Sequence, residues 1–344
     1  MDKNSRILYN MFANNTIFRT RTDIHIFPIL SSMKRFIISI VLFLMPLCVF
    51  LYLLEFGIRS IPNDYSYKNK WLEQNVWSLK VLSLGMSHGF MGIQPNCFDE
   101  PAFNAAHVSQ SLKYDAFIFD KFIEQADSLQ IVILPISYVS LWFGLEESEE
   151  WWRVKNYCIY YQCPYHRWEN EYRSEVMGGK LFTLCKRLKN NIYNGSNEIS
   201  CDSLGWATFY TKAFRGKDWW MNGESRARSH TFDLDQRKEL FAENKLHVES
   251  IIKQCFQKQI KVVLLTTPTC STYYDNIYKK QLDMMLNYCD SISSTNENVF
   301  YLDLLKDNRF NEEDFFDADH LNEFGAEKLS RILNDFCNSM VFQH

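Results

Sequence analysis

The chain has 344 residues, of which 47% are hydrophobic, 16% aromatic and 23% charged, which is enough for one large folded domain. A net charge of -4, without a basic block or an RNA-binding motif, argues against a nucleic-acid partner. The ten cysteines form no Cys-x-x-Cys pair and no Cys/His cluster at zinc spacing, so we expect no structural metal and no disulfide scaffold. Cys158 and Cys163 are the best-placed pair if the compartment is oxidising.

The first predicted element is a membrane anchor over residues 36–54. This segment carries no charge, and as a helix it would be about 28 Å long, close to the hydrocarbon thickness of a bilayer. A cleaved secretory signal is the alternative, but the run is long for one and no small-x-small cleavage site follows it.

The basic residues Lys34 and Arg35 predict that residues 1–35 form a cytoplasmic N-terminal segment of a single-pass inner-membrane protein. The later domain would then be periplasmic or otherwise extracytoplasmic. Met33, followed by two bases and the apolar run, is the alternative start of the chain.

Residues 55–78 are predicted to be a stem or linker, because Pro62, Asn63 and Asp64 interrupt regular structure. The folded domain is then expected over residues 79–344. Strand-like apolar runs alternate with helical patterns across it, which predicts a parallel sheet in a three-layer α/β/α sandwich. The predicted strands are Val81–Leu84, Ile131–Pro135, Ile260–Thr267 and Val299–Asp303, and the predicted helices are Ser109–Ala126, Lys238–Lys258, Tyr278–Tyr288 and Ala326–Phe336.

Residues from about 140 to 235 interrupt this alternation and are predicted to form a large insertion beside the functional site. Seven of the nine tryptophans fall in this stretch, together with many tyrosines. Two interpretations remain open, a platform on which sugar rings stack and a core for an irregular insertion, and we place the second slightly ahead.

The first candidate functional stretch is residues 80–89, in which an apolar run stops at a Gly-x-Ser sequence. Gly85 permits a tight turn, so Ser87 is predicted at the carboxyl end of a buried strand, where ligands bind in parallel sheets. A serine needs a base to act as a nucleophile.

The candidate base is His320. Asp317 precedes it by three residues, close enough for the carboxylate to orient the imidazole. Asp319 is adjacent to His320, is less well placed by its spacing, and has the alternative interpretation of a surface charge. His320 is expected on a loop just before the final helix.

The Gly-Met-Ser-His sequence after the first strand, with Asp-Ala-Asp-His-Leu-Asn-x-x-Gly-Ala near the end, resembles the SGNH/GDSL hydrolase superfamily. The likeness extends to membrane-anchored bacterial members that modify envelope polymers, such as the teichoic-acid D-alanyl transfer protein and alginate O-acetylation proteins. It implies a flavodoxin-like sandwich without a cofactor. It also implies that Ser87 is the nucleophile, His320 the base and Asp317 the orienting carboxylate.

The chain departs from this family at the oxyanion hole, where the usual glycine and asparagine donors are missing. The replacements that we consider are a backbone N–H at Ser109 or Gln110, and the hydroxyl of Ser137. The candidates for the substrate pocket are His88, next to Ser87, Asn104, shortly before Ser109, and Tyr138, next to Ser137. A structural role is the alternative for His88.

The expected function is therefore that of a serine esterase or O-acyltransferase acting on an acylated envelope glycan. The expected partners are that glycan or another acyl donor, the membrane through one helix, and a membrane-bound acyltransferase. The alternative is a non-catalytic envelope assembly or polysaccharide-binding protein that keeps the fold.

Overall fold

The structure is a computed structural model that describes residues 23–164 and 173–341, with the side chains of residues 23–32 and 341 left out of the description. The chain forms two compact units that divide between Gly57 and Ile58. Of the segment predicted as cytoplasmic, residues 1–22 lie outside the described residues.

Helix α1 (Asp23–Arg59) dominates the first unit, and its part from Met33 to Arg59 is long and apolar enough to cross a membrane.

The second unit is built on a five-stranded sheet in which all neighbouring strands run parallel, in the order β2-β1-β3-β4-β5. The four predicted strands are confirmed, and the sheet has a fifth strand, directly after Pro101, that the sequence did not predict. The strands are β1 (Val81–Ser83), β2 (Ala102–Asn104), β3 (Ile131–Pro135), β4 (Lys261–Thr266) and β5 (Val299–Asp303). Strand order reverses between β1 and β3, which makes their carboxyl ends the expected ligand site.

Helices cover both faces of this sheet, as the predicted sandwich requires. They are α2 (Asp64–Asn75), α3 (Ser87–Gly92), α4 (Leu112–Phe122), α5 (Val154–Tyr160), α6 (Leu181–Asn194), α7 (Gly223–Ser229), α8 (Lys238–Gln257), α9 (Ser271–Tyr274), α10 (Lys279–Thr295) and α11 (Glu323–Val341). The four predicted helices correspond to α4, α8, α10 and α11.

Alternate strand residues point to opposite faces and divide the core in two. Leu82, Val132 and Val262 pack in the cluster that contains the buried faces of α4, α8 and α10. Val81 and Ile133 pack in the cluster that contains α11. This burial on both faces accounts for the continuous apolar runs in the sequence.

The prediction of a linker over residues 55–78 is wrong for most of its length. Leu72 and Val76 are buried in the main core, so α2 belongs to the folded domain. The polar residues that suggested a break instead begin a helix, because the Asn63 side chain accepts the Ser66 N–H at 3.0 Å and the Ser66 hydroxyl accepts the Asn63 N–H at 3.1 Å. This reciprocal pair is a helix-capping box.

The insertion contains short helices and much irregular chain, and its described aromatic residues divide between the core and the surface. Trp142, Tyr157 and Tyr161 are fully buried in the main cluster, whereas Trp151 and Trp152 are partly exposed. Cys158 and Cys163 are free thiols in the structure, which does not bear out a disulfide between them. The aromatic residues of segment 165–172 lie outside the described residues.

Candidate active site

Ser87 is placed by a sharp turn at the end of β1. Gly85 has a φ of +110°, a backbone conformation that favours glycine, and a Cβ there would lie 3.0 Å from the Pro135 Cδ. The Gly85 N–H donates to the buried Asp115 carboxylate at 2.6 Å, which fixes the turn. Ser87 then begins α3 at the point where strand order reverses.

His320 lies on the loop before α11, and Asp317 holds both its backbone and its ring. The Asp317 carboxylate accepts the His320 backbone N–H at 2.8 Å, and both of its oxygens lie 3.0 Å from the His320 Nδ1. The His320 Nε2 lies 2.9 Å from the Ser87 Oγ. With the proton assigned to Nδ1, Nε2 is free to accept the serine proton.

A second carboxylate, Asp319, lies beneath the imidazole. It is buried and bonds the Arg226 guanidinium through both oxygens at 2.8 Å. One of its oxygens is 3.7 Å from the His320 Nδ1 and the other 3.3 Å from the His88 Nε2. The alternative of a surface charge is therefore wrong, and Asp319 connects His320 to a residue of the insertion.

The two carboxylates set the proton affinities of the site. Burial by itself lowers the pKa of His320, but Asp317 and Asp319 outweigh burial and raise it above its usual 6.5. Burial would raise the pKa of Asp319, yet His320, His88 and Arg226 together hold it well below its ordinary range. Burial lowers the pKa of His88, which therefore stays neutral at physiological pH. These directions give a neutral His88 beside a more basic His320.

The backbone offers two donors for an oxyanion. Ser109 takes a φ of +56° where the superfamily resemblance led us to expect glycine, and its hydroxyl donates to Glu150 at 2.6 Å. Ser87 and Ser109 both line the cavity, and within the described residues neither backbone N–H has an acceptor. The Gln110 N–H instead bonds the His107 carbonyl at 3.3 Å, so Ser109 is the better of the two backbone candidates.

The site opens into a cavity of about 630 Å³. Its apolar lining includes Val108, Val139, Phe143 and Phe232. Tyr210, from the insertion, packs edge-on against the His320 ring with the centroids 5.4 Å apart. The cavity combines this apolar lining with charged side chains, among them Arg226, Arg237 and Glu150.

Besides Gln110, three of the predicted oxyanion and pocket residues do not line this cavity. Asn104 is fully buried and donates to the carbonyls of Gly89 and Ile93 at 2.9 and 2.8 Å, so it fixes the chain around α3. Tyr138 is buried with its hydroxyl bonded to Thr231 at 2.9 Å.

Ser137 is the third residue outside the cavity. Its hydroxyl is 2.9 Å from the Ser140 hydroxyl and 3.3 Å from the Met86 sulfur, so it does not replace the missing asparagine. His88 does line the cavity, as predicted.

His88, Asp319 and His320 have ligand atoms within 4.8 Å of one another, a spacing that a metal ion could use. Both Asp319 oxygens, however, are bonded to Arg226, and both His320 nitrogens face Asp317 and Ser87. The positive guanidinium opposes a bound cation, so the donor set does not fit a metal.

Sequence reasoning missed Arg226 and Tyr210, because both come from the insertion and no motif surrounds them. The arginine is 93 residues before Asp319. The one available signal was Asp319 itself, because a carboxylate buried next to the base needs a cationic partner.

The fold and the site together have the features that the superfamily resemblance implied: a parallel α/β sandwich with a serine after β1 and an Asp-x-x-His pair near the end. No family model matches the chain, and no curated protein matches it in sequence.

Three similar solved structures each share 11% identity with the chain. The first is described as a candidate platelet activating factor from Streptococcus pneumoniae, with a TM-score of 0.41 over 86% of this chain and 99% of that chain. A candidate acylhydrolase from Bacteroides fragilis has a TM-score of 0.39 over 79% and 96%. A candidate lipolytic protein of the G-D-S-L family from Desulfitobacterium hafniense has 0.37 over 74% and 98%. At these scores the likenesses carry no information about activity.

Proposed function

We propose that the protein is a serine esterase or O-acyltransferase that works through an acyl-Ser87 intermediate. The observation that carries this proposal is the 2.9 Å contact between the Ser87 Oγ and the His320 Nε2, with Asp317 on the opposite ring nitrogen. A hydroxyl in this position can be deprotonated as it attacks an ester carbonyl.

In the first half of the reaction, the Ser87 Oγ forms a bond to the acyl carbon while His320 Nε2 takes the serine proton. The ester C–O bond then breaks, and His320 returns that proton to the departing alcohol. In the second half, His320 takes a proton from water or a sugar hydroxyl as the new C–O bond forms. The bond between the acyl carbon and the Ser87 Oγ then breaks, and His320 returns the proton to that oxygen. Water gives an esterase and a sugar hydroxyl a transferase.

The developing oxyanion would be held by the backbone N–H groups of Ser87 and Ser109. Losing one such donor typically costs about 100- to 1000-fold in rate. The absence of a side-chain donor at Ser137 therefore predicts slow turnover rather than none.

The proposed substrate is an acylated glycan of the cell envelope, with the N-terminus of the chain in the cytoplasm and the domain outside the membrane. The apolar character of α1 supports the anchor. Aromatic side chains and charged groups in the lining of the cavity support a polar ring substrate. A membrane-bound acyltransferase is the proposed partner that would supply acyl groups.

The test is labelling of the full chain in detergent with a fluorophosphonate probe. We expect the wild type to be labelled, and Ser87→Ala and His320→Ala to lose labelling. Ser137→Ala is the matched control and should leave labelling unchanged, because among the described residues that hydroxyl bonds Ser140 and Met86 and does not line the cavity.

Failure of a folded wild type to react would overturn the catalytic proposal and favour the non-catalytic binding alternative. Labelling that survives Ser87→Ala would place the reactive serine elsewhere.

A further inference from the structure

Helix α6 exposes an unusual number of large apolar side chains for a domain surface. Only Leu184 is buried in this helix. Phe182 is 83% exposed, Tyr193 77%, Ile192 67% and Leu181 49%. At 100° per residue, these four fall on one arc of the helix that excludes Leu184. The helix therefore has an apolar face that the domain does not cover.

Positive charge lies beside and within this apolar face: at 100° per residue Lys186 falls at its edge, and Lys189 falls inside the arc, between Ile192 and Phe182. Lys180, Lys186 and Lys189 are exposed, and none of them has an acidic partner within the described residues. No aspartate or glutamate occurs from residue 176 to residue 197. A basic helix with exposed aromatic and aliphatic residues is the pattern of a helix that lies at the surface of an anionic bilayer.

Contacts within the domain tie α6 to the place where the chain leaves α1. Arg59, at the end of α1, donates to the Arg173 carbonyl at 2.6 Å. On α6, Arg187 bonds Glu198 at 2.7 and 2.8 Å, and the Glu198 N–H donates to the Pro62 carbonyl at 2.8 Å. Through Glu198, the basic apolar helix is thus linked to Pro62, just after the end of α1.

We propose that α6 is a second membrane contact, which lies on the anionic lipid surface of the bilayer that α1 crosses. Phe182 and Ile192 would enter the acyl boundary while Lys186 and Lys189 meet lipid phosphates. The inference rests on the proposed anchor, because only a chain held by α1 brings α6 to that surface. The contact would fix the orientation of the domain on the membrane.

The native thiol of Cys185, exposed among these side chains, reports on the contact. The full chain is placed in lipid nanodiscs of phosphatidylcholine alone, or of phosphatidylcholine with one third phosphatidylglycerol. Reaction of Cys185 with a membrane-impermeant maleimide is followed by peptide mass spectrometry, with Cys97 as the internal reference. We expect the anionic lipid to slow Cys185 labelling about tenfold, and high salt to reverse most of the effect.

Reversing the charge of the lysines on α6 distinguishes contact with anionic lipid from any other cause of slow Cys185 labelling. Lys186→Glu/Lys189→Glu should restore fast labelling of Cys185. The control Lys238→Glu/Lys253→Glu makes the same charge change on exposed positions of α8 and should not.

Equal labelling in both kinds of disc overturns the proposal. If Cys185 is protected in both lipids, a second copy or another partner covers α6, which also overturns it. A chain that fails to insert into either disc contradicts the anchor itself, and the fluorophosphonate result is independent of all these outcomes.

Discussion

Replacing Asp319 with asparagine tests whether the buried carboxylate sets the basicity of His320. Asp319 is 3.7 Å from the His320 Nδ1 but is not the residue that orients the ring, since Asp317 accepts from that nitrogen at 3.0 Å. Asp319→Asn therefore removes a charge and keeps the orientation. It also leaves the Arg226 charge without its partner, which opposes protonation of the imidazole as well.

The expected size of the effect follows from the distance. Two unit charges 3.7 Å apart interact by about 4 kcal/mol at an effective dielectric constant of about 20. Water in the cavity weakens this interaction, but its loss should still lower the pKa of His320 in the variant. Because the reaction needs the neutral imidazole, the acid limb of the pH profile should move to lower pH.

The assay is the second-order rate constant of fluorophosphonate inactivation measured against pH. Its pH dependence reports the pKa of His320 in the free protein and requires no substrate. Asp317→Asn is the comparison, and it should lower the rate at every pH because the ring loses its orienting acceptor. Since breaking a buried ion pair costs about 3 to 5 kcal/mol, Arg226→Gln/Asp319→Asn provides a second variant without either charge.

An acid limb that stays in place in both Asp319 variants, or that moves to higher pH, would refute this account of His320. The same limb shift in Asp317→Asn and Asp319→Asn, without the loss of rate, would show that Asp317 does not orient the ring.

Two further predictions concern the turn that carries Ser87. Gly85→Ala should cost about 1 to 3 kcal/mol of unfolding free energy, because φ is +110° and the new Cβ meets Pro135. Denaturant titration should show a clearly smaller loss for Gly92→Ala, whose Cβ meets the ends of two leucine side chains at 3.3 and 3.7 Å. Burial raises the pKa of Asp115 to about 7. Between about pH 4 and pH 7 this carboxyl is therefore protonated in the folded chain but ionised in the unfolded chain. The free energy of unfolding should fall as the pH rises through this range, by up to about 4 kcal/mol. Asp115→Asn should flatten that part of the stability profile measured by denaturant titration, and an unchanged slope would contradict the assignment.

The parts of the molecule that could be predicted from the sequence are those with a local signal. β3 and β4 are continuous apolar runs because both of their faces are covered. The Asp317–His320 pair is visible because three residues of spacing suffice to bring the two side chains together. The turn at Gly85 is visible because few residues other than glycine adopt its backbone conformation.

The errors come from polar residues whose partners are distant in sequence. Asn104 ends β2 and looks like a pocket residue, yet it donates to the carbonyls of Gly89 in α3 and of Ile93 just after that helix, at 2.9 and 2.8 Å. A buried polar side chain and a ligand-binding one have the same local pattern, and only the tertiary partners separate them. The pairing of Asp319 with Arg226 was hidden for the same reason.

The separation of Ser87 and His320 by 233 residues also determines when the site can exist. At about 5 to 20 residues per second, the serine leaves the ribosome about 10 to 50 s before its base is made. A nascent or truncated chain therefore carries an unactivated hydroxyl. On the proposed mechanism, the hydroxyl becomes activated only when the last loop has folded back onto the first strand, after synthesis of the chain has passed His320.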